Sequence, residues 1–338
     1  MKLIIFIGFF VFVIQLQAQI SDFNHIDFHK ADTKALTFRK ENLKDLPKLA
    51  YKLTSDLDTD VEKFRAIYMW VTANIANDYN FFLKHKAKTL RYKEDSLKLE
   101  YWNEKFRKKL FKKLLKQQKT ICTGYAYMVR ELSKLANLNC QIVNGFGRVS
   151  ATDIERFDTP NHSWNAVKLE GKWYLSDPTW ASGLINADNG KFKFEYNDGY
   201  FLTHPKLFVK NHYPIDKKWM LLNENKAPLF EEFLENPVIY GAAYKKILYH
   251  NTPQKLYNEI LKKEKVIFEY QLIAPVNISE VGLIIDNGFE GKTVKPKITL
   301  SDNNILTLEY QFDKKGLYDV HFFIGDDLIS TYTFKVRS

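Results

Sequence analysis

The sequence predicts an α+β domain followed by an all-β sandwich, and three observations carry that prediction. Apolar residues recur at helical spacing up to about residue 136. Two strand-like runs, His162 to Leu169 and Lys172 to Asp177, then follow with only Glu170-Gly171 between them. Beyond residue 264, short alternating segments succeed one another to the end of the chain. A chain of 338 residues exceeds what one core usually accommodates, so two domains are the natural division.

Residues 1–18 read as an export signal: Lys2, an apolar run from Leu3 to Ile14, and a cleavage position after Ala18. That run is too short for a membrane span, which needs ~20 residues. No cysteine follows it at a lipoprotein position. The expectation is an exported protein, periplasmic or secreted, with no membrane span. Asp22 to Leu53 holds capping and helix-forming residues, expected as short helices on the core. Val61 to Ile75 places Phe64, Ile67, Tyr68, Val71 and Ile75 on one helical face, the pattern of a core helix.

Charge is concentrated in one place. Residues 84–119 carry fourteen Lys or Arg against four Asp or Glu, an excess equal to the +10 of the whole chain. Trp102, Phe106, Leu110 and Leu114 recur every fourth residue there, so the segment reads as a basic helical insertion with an apolar stripe. A solvated face is the plain reading of such a run. The sharper one is a basic lip that steers an anionic surface polymer or acidic peptide toward the segment it precedes. No nucleic-acid-binding module is recognisable.

Directly after this insertion, Cys122 is followed by Thr-Gly and by Tyr125, Met128, Val129, Leu132, Leu135 and Ala136 at helical spacing. The thiol is therefore expected at a helix start, where unpaired N–H groups and partial positive charge favour thiolate and can hold an oxyanion. In the hairpin, pairing of Leu169 with Lys172 makes paired residue numbers sum to 341, which sets Asp177 opposite Trp164. His162, Trp164 and Asp177 then share a face, with Asp177 a diagonal neighbour of His162 at ~7 Å between backbones. A loop of one more residue would send Asp177 to the other face. Cys122, His162 and Asp177 thus supply, in order, a nucleophile, a base and a group to orient the base. Trp70, Trp102 and Gln118 are donors upstream of the cysteine, and nothing in the sequence selects one as a second oxyanion donor.

An oxidising compartment raises the question of a Cys122–Cys140 disulfide. A helix from Cys122 to Ala136 rises ~21 Å, whereas the four steps on to Cys140 span at most ~14 Å, leaving ends at least ~7 Å apart. A disulfide wants the Cα atoms within ~6.8 Å, so Cys140 is expected as a buried strand residue. No HExxH and no cysteine clamp is present, and His25 and His29 read as surface histidines, so no metal and no cofactor is expected.

The C-terminal segments VIFEYQLI, VGLIID, PKITLS, ILTLEYQF, YDVHFFIG and LISTYTFKV are rich in aromatic and β-branched residues and separated by Asn, Asp, Gly and Lys. They predict an immunoglobulin-like sandwich. The expected organisation is a signal over 1–18, a first domain over 19–225 with the insertion 84–119, a linker or helical stretch over 226–264, and the sandwich over 265–338.

CTGYAYMVREL, NHSWNAVKLEGKWYLSDPTW and the upstream KFRAIYMWVTANIANDYNF resemble the transglutaminase-like superfamily. The resemblance is to bacterial members with papain-like cysteine-peptidase cores related to the kyphoscoliosis-peptidase group. It covers about Asp56 to Leu222, because YFLTHPKLFVKNHYPIDKKWMLL also resembles the segment that follows such cores. It implies a papain-like α+β core with Cys122 as nucleophile, His162 as general base then acid, and Asp177 as orienting carboxylate. The function expected is thiol-dependent acyl transfer on an amide or peptide bond of a peptide or protein substrate, with hydrolysis preferred. The alternatives are protein-glutamine transglutaminase or deamidase activity, or a non-catalytic surface-binding protein on the same fold.

Overall fold

Side-chain caps set most helix starts in the first third of the chain. In the computed structural model, which describes residues 19–186, 189–223, 225 and 227–338, Asp45 accepts from Lys48 N at 3.0 Å. Thr59 and Glu62 form a reciprocal capping box. These caps open two of the first three helices, α1 (His29–Thr37), α2 (Leu46–Thr54) and α3 (Asp60–Asn74). The residues of α3 expected to face the core are buried, and Trp70 and Ala66 are buried with them, so this helix is enclosed on most sides. The export-signal expectation for residues 1–18 lies outside the described residues.

The basic segment is a helical hairpin inserted between two short strands. β1 (Ala76–Asn77) leads into α4 (Tyr79–Arg91) and α5 (Ser96–Gln117), and β2 (Lys119–Thr120) returns parallel to β1 with Ala76 beside Lys119. The hairpin keeps a small core of its own, in which Phe106 and Leu110 pack with Ile121 against Phe81, Phe82 and Trp102. Ile121 is the residue before the candidate nucleophile, so the insertion ends where the site begins.

Then comes α6 (Cys122–Leu135), packed on the four-stranded antiparallel sheet β5-β4-β3-β8. Its strands are β3 (Asn139–Gly147), β4 (His162–Leu169), β5 (Lys172–Ser176) and β8 (His212–Pro214). Between β5 and β8 lie α7 (Pro178–Ser182), the short pair β6 (Gly183–Ile185) and β7 (Phe192–Phe194), and α8 (Pro205–Asn211). The β4–β5 turn has φ of 47° at Glu170 and 82° at Gly171. Two successive left-handed residues are what a two-residue hairpin turn twisted with its strands requires. The register follows: Leu169 opposes Lys172 and Asn165 opposes Ser176.

The chain then passes through α9 (Phe230–Glu235) and β9 (Val238–Ile239) into two sheets. One is β10-β12-β16-β15, from β10 (Ile247–Thr252), β12 (Lys265–Leu272), β15 (Lys297–Leu300) and β16 (Ile305–Gln311). The other is β11-β18-β17-β13-β14, with β9 also on β18. Its strands are β11 (Tyr257–Leu261), β13 (Val281–Asp286), β14 (Gly291–Val294), β17 (Gly316–Ile324) and β18 (Asp327–Arg337). The sheets face each other through Tyr270, whose ring stacks on Phe322 at 4.4 Å and whose hydroxyl is 2.7 Å from that of Tyr332. This is a β-sandwich.

The stretch 226–264, expected as a linker or helical, holds α9 and a helical turn at Gly241–Lys245 but also supplies β9, β10 and β11 to those sheets. The reason lies in burial. β11 has no fully buried residue and pairs in parallel with β18 alone, so an edge strand of this kind carries no apolar alternation to read. The two halves share packing: Tyr200 stacks on Tyr244 at 4.3 Å, and Tyr244 Oη donates to Asn211 Oδ1. Among the described residues, no helix is long and apolar enough to cross a membrane.

Candidate active site

Cys122 is the first residue of α6 and follows Ile121, which offers no side-chain cap. The first helical bonds are made by the N–H groups of Gly124 and Tyr125 to Ile121 O, so those of Cys122 and Thr123 precede the bonded turn. Gly124 lets this turn sit against β2, since a Cβ there would lie 1.9 Å from Thr120 Oγ1. The thiol is 8 % exposed, with Sγ 4.0 Å from Asn161 O. Asn161 is itself pinned to β3: its Oδ1 accepts from Gly147 N and its Nδ2 donates to Gly147 O.

His162 opens β4 opposite Gly145, and its Nε2 lies 2.7 Å from Asp177 Oδ2. The Cys122 thiol is the neighbour that, together with Asp177, favours the protonated form of this ring. The structure thus brings together all three residues singled out in the sequence, and the hairpin parity on which this depended is the one observed. Asp177 follows β5 and caps α7, with Oδ1 accepting from Thr179 N at 2.8 Å and Trp180 N at 3.1 Å. One carboxylate oxygen is committed to a helix start and the other to the imidazole. Tyr68 Oη reinforces this by donating to Asp177 O and Tyr200 O.

Sequence reasoning missed a fourth residue. His212 begins β8, and its Nε2 is 3.0 Å from the same Asp177 Oδ2. Its only signal was membership of the segment YFLTHPKLFVKNHYPIDKKWMLL, where no local spacing distinguishes it from His204. Trp180 covers both imidazoles, stacking on His162 at 4.7 Å and lying 4.4 Å from His212.

The charges divide unevenly. Burial alone would lower His162 and raise Asp177, but their mutual attraction prevails over both effects. Asp177 is held well below the usual carboxylate range by His162 and His212, while Asp177 and Cys122 bring His162 up to about 10. His212 goes the other way: burial, assisted by the neighbouring His162 charge, pushes it down to about 4 in spite of Asp177. These directions favour the proton on His162, the ionised form of Asp177 and the neutral form of His212.

The upstream donors are spent elsewhere. Trp70 Nε1 donates to Phe38 O, Trp102 Nε1 lies 3.2 Å from His85 Nδ1, and Gln118 Nε2 donates to Glu41 O. Both cysteines are free; Cys140 is buried on β3, and burial pushes its thiol up to about 12. His25 and His29 are exposed. Among the described residues, His162, Asp177 and His212 are the group whose ligand atoms lie within 4.8 Å of one another. Their separations of 2.7 and 3.0 Å are those of hydrogen bonds, which already use the facing nitrogens and Oδ2.

Residues 47–178 match the model of the transglutaminase-like superfamily. The chain is 34 % identical over 204 residues to kyphoscoliosis peptidase of Homo sapiens and 36 % identical over 206 residues to that of Mus musculus, covering 59 % of this chain and 27 % of each relative. It is 27 % identical over 224 residues to hillarin of Drosophila melanogaster, with 62 % of this chain and 24 % of hillarin covered. The chain therefore spans about a quarter of the length of these relatives. Among solved structures it is similar to the Lin-41 filamin domain, at 21 % identity and a TM-score of 0.20, over 23 % of this chain and 82 % of that one.

Proposed function

The chain carries a transglutaminase-like domain over residues 47–178, and from that premise we propose that it is a thiol-dependent acyl-transfer enzyme acting on amide or peptide bonds through Cys122, His162 and Asp177. The observation that carries this reading is the buried Asp177–His162 pair, with Asp177 Oδ2 2.7 Å from His162 Nε2, beside a cysteine that heads α6 and favours the protonated form of that ring.

Cys122 Sγ, its proton passed to His162, attacks the carbonyl carbon, and the developing oxyanion is held by the N–H groups at the start of α6. His162 then gives its proton to the departing amine as the C–N bond breaks, leaving a thioester on Cys122. Asp177, pinned by α7, stabilises the imidazolium and keeps its Nε2 fixed. A second nucleophile gives its proton to His162 and attacks the thioester, restoring the thiolate and the imidazolium. Water yields a carboxylic acid, and an amine yields a new amide. We favour water, because two of the similar proteins are named peptidases. Transamidation or glutamine deamidation is the alternative.

A peptide and amide library, with and without an added amine acceptor, tests this on wild type and Cys122→Ala. Turnover should require Cys122, pass through a trappable thioester and give free acid in the presence of the amine. Equal activity in both proteins excludes the proposed nucleophile. We also propose that residues 1–18 direct export to the periplasm or beyond the cell, which N-terminal sequencing of the exported protein checks by a start at Gln19. The exposed lysines of the hairpin over 84–119 support an anionic partner or acidic substrate, and turnover of acidic peptides should then weaken as salt rises.

A further inference from the structure

The three-residue mechanism leaves His212 without a task, yet His212 is among the most enclosed polar residues in the domain, at 1 % exposure. An imidazole is buried at a cost unless its polar atoms are paired. Its ring lies flat on Phe208 at 3.8 Å and edge-on to Trp164 at 5.1 Å, which leaves one direction for Nε2, toward Asp177. The sheet is shaped to allow this. His162 stands on β4 and His212 on β8, on opposite sides of β3, where they face Gly145 and Gly147. A Cβ on Gly147 would come within 2.8 Å of His162 Cβ. With no side chain at that point of β3, the two rings approach to 5.5 Å between centroids and meet one carboxylate oxygen.

We propose that His212 is a positioning residue of this site: its neutral ring donates Nε2–H to Asp177 Oδ2, closing the last acceptor direction of a carboxylate that α7 and His162 already hold. This rests on the triad reading. Asp177 then receives donors from Thr179 N, Trp180 N, His162 Nε2 and His212 Nε2, and has no freedom to turn away from His162. Two acceptors face the His212 ring, Asp177 Oδ2 and Phe208 O at 3.1 Å from Nδ1. A neutral ring has one proton to give. The carboxylate is the stronger acceptor, and Phe208 O already takes the His212 backbone N–H, so the Nε2–H tautomer is favoured. The charged groups that face His212 are Asp177 and, across it, His162; the rings of Phe208, Trp164 and Trp180 complete its surroundings.

Sharing Oδ2 also divides its strength as an acceptor. Without the His212 donor, the carboxylate attracts the His162 proton more strongly and its imidazolium becomes a weaker acid toward the leaving amine.

Two measurements on the full chain test this. The first is the pH profile of Cys122 alkylation by iodoacetamide, whose upper inflection reports His162. In His212→Phe that inflection should rise by about half a unit or more, and in His212→Gln, which keeps an N–H donor, it should return to the wild-type value. An unchanged inflection in folded His212→Phe overturns the proposal. The second needs no variant: ring-nitrogen NMR of wild type should find His212 neutral with its proton on Nε2 between about pH 5 and 9. A proton on Nδ1 with Nε2 bare overturns the proposal as well. Failure of the underlying triad is distinguishable, because wild type would then show the same alkylation profile as His162→Ala.

Discussion

β4 and β8 flank the same strand and each delivers one buried histidine to the same carboxylate oxygen, yet the two histidines are driven in opposite directions. His162 rises to about 10 and His212 falls to about 4. Both are desolvated, so burial does not separate them. One carboxylate offsets one buried imidazolium, and the ring that also faces the Cys122 thiol takes that charge. The second ring then experiences its neighbour's positive charge as well as its own burial and stays neutral. Role follows from surroundings, since the residue type is the same.

The most severe way to break this comparison is to remove the charged member. His162→Ala should lower turnover by about 10²- to 10⁴-fold and release His212 upward from about 4, because the charge that opposed its protonation is gone. Turnover assays and an imidazole NMR titration check both halves; a loss below about tenfold would mean that the two histidines are interchangeable. Asp177→Asn should bring His162 down from about 10 toward its ordinary value of 6.5, moving the alkaline limb of kcat/KM downward with a rate loss of about 10²-fold.

Stability against pH sharpens the contrast further. His162 is raised on folding, so its contribution is complete below about pH 6.5 and fades as pH rises through about 10. His212 is lowered, so it disfavours the folded state increasingly as pH falls from about 6.5 through about 4, by up to about 3 kcal/mol. The two effects together place their joint optimum near pH 6.5. Denaturant melts should show His212→Phe losing less stability than wild type between pH 6.5 and 4. The smallest expected effect is at the turn. Gly171→Ala meets no atom within 4 Å, so it should cost only about 1 kcal/mol, for the left-handed φ of 82°, in the same melts.

Legibility followed the reach of local rules. The apolar spacing after Cys122 marked a helix start, and both the helix and its buried residues Tyr125, Met128, Val129 and Leu132 lie where that spacing put them. Cys140 was expected as a buried strand residue because chain reach disfavoured its pairing with Cys122, and it lies free and buried on β3. Six C-terminal strands were readable from alternation, but β14, Gly291–Val294, was not. It has no buried residue, and its sequence GKTV presents no apolar face. The edge strand β11 escaped in the same way, while β10, which buries Ile247 and His250, escaped because two register shifts interrupt its alternation.

By itself, then, the sequence determined the helix that begins at Cys122 and suggested the two-residue turn at Glu170-Gly171, on whose parity the facing of Asp177 and His162, fifteen residues apart, depends. Both are local features, read from periodicity and from the residues that a tight turn takes. Only the tertiary structure decided that His212 reaches Asp177 from 35 residues away, and that Trp180 lies over both imidazoles. These contacts depend on β8 pairing with β3 across Gly147 and on α7 folding back over the sheet. Nothing local specifies such pairings, because strands distant in sequence find each other through the packing of the whole core.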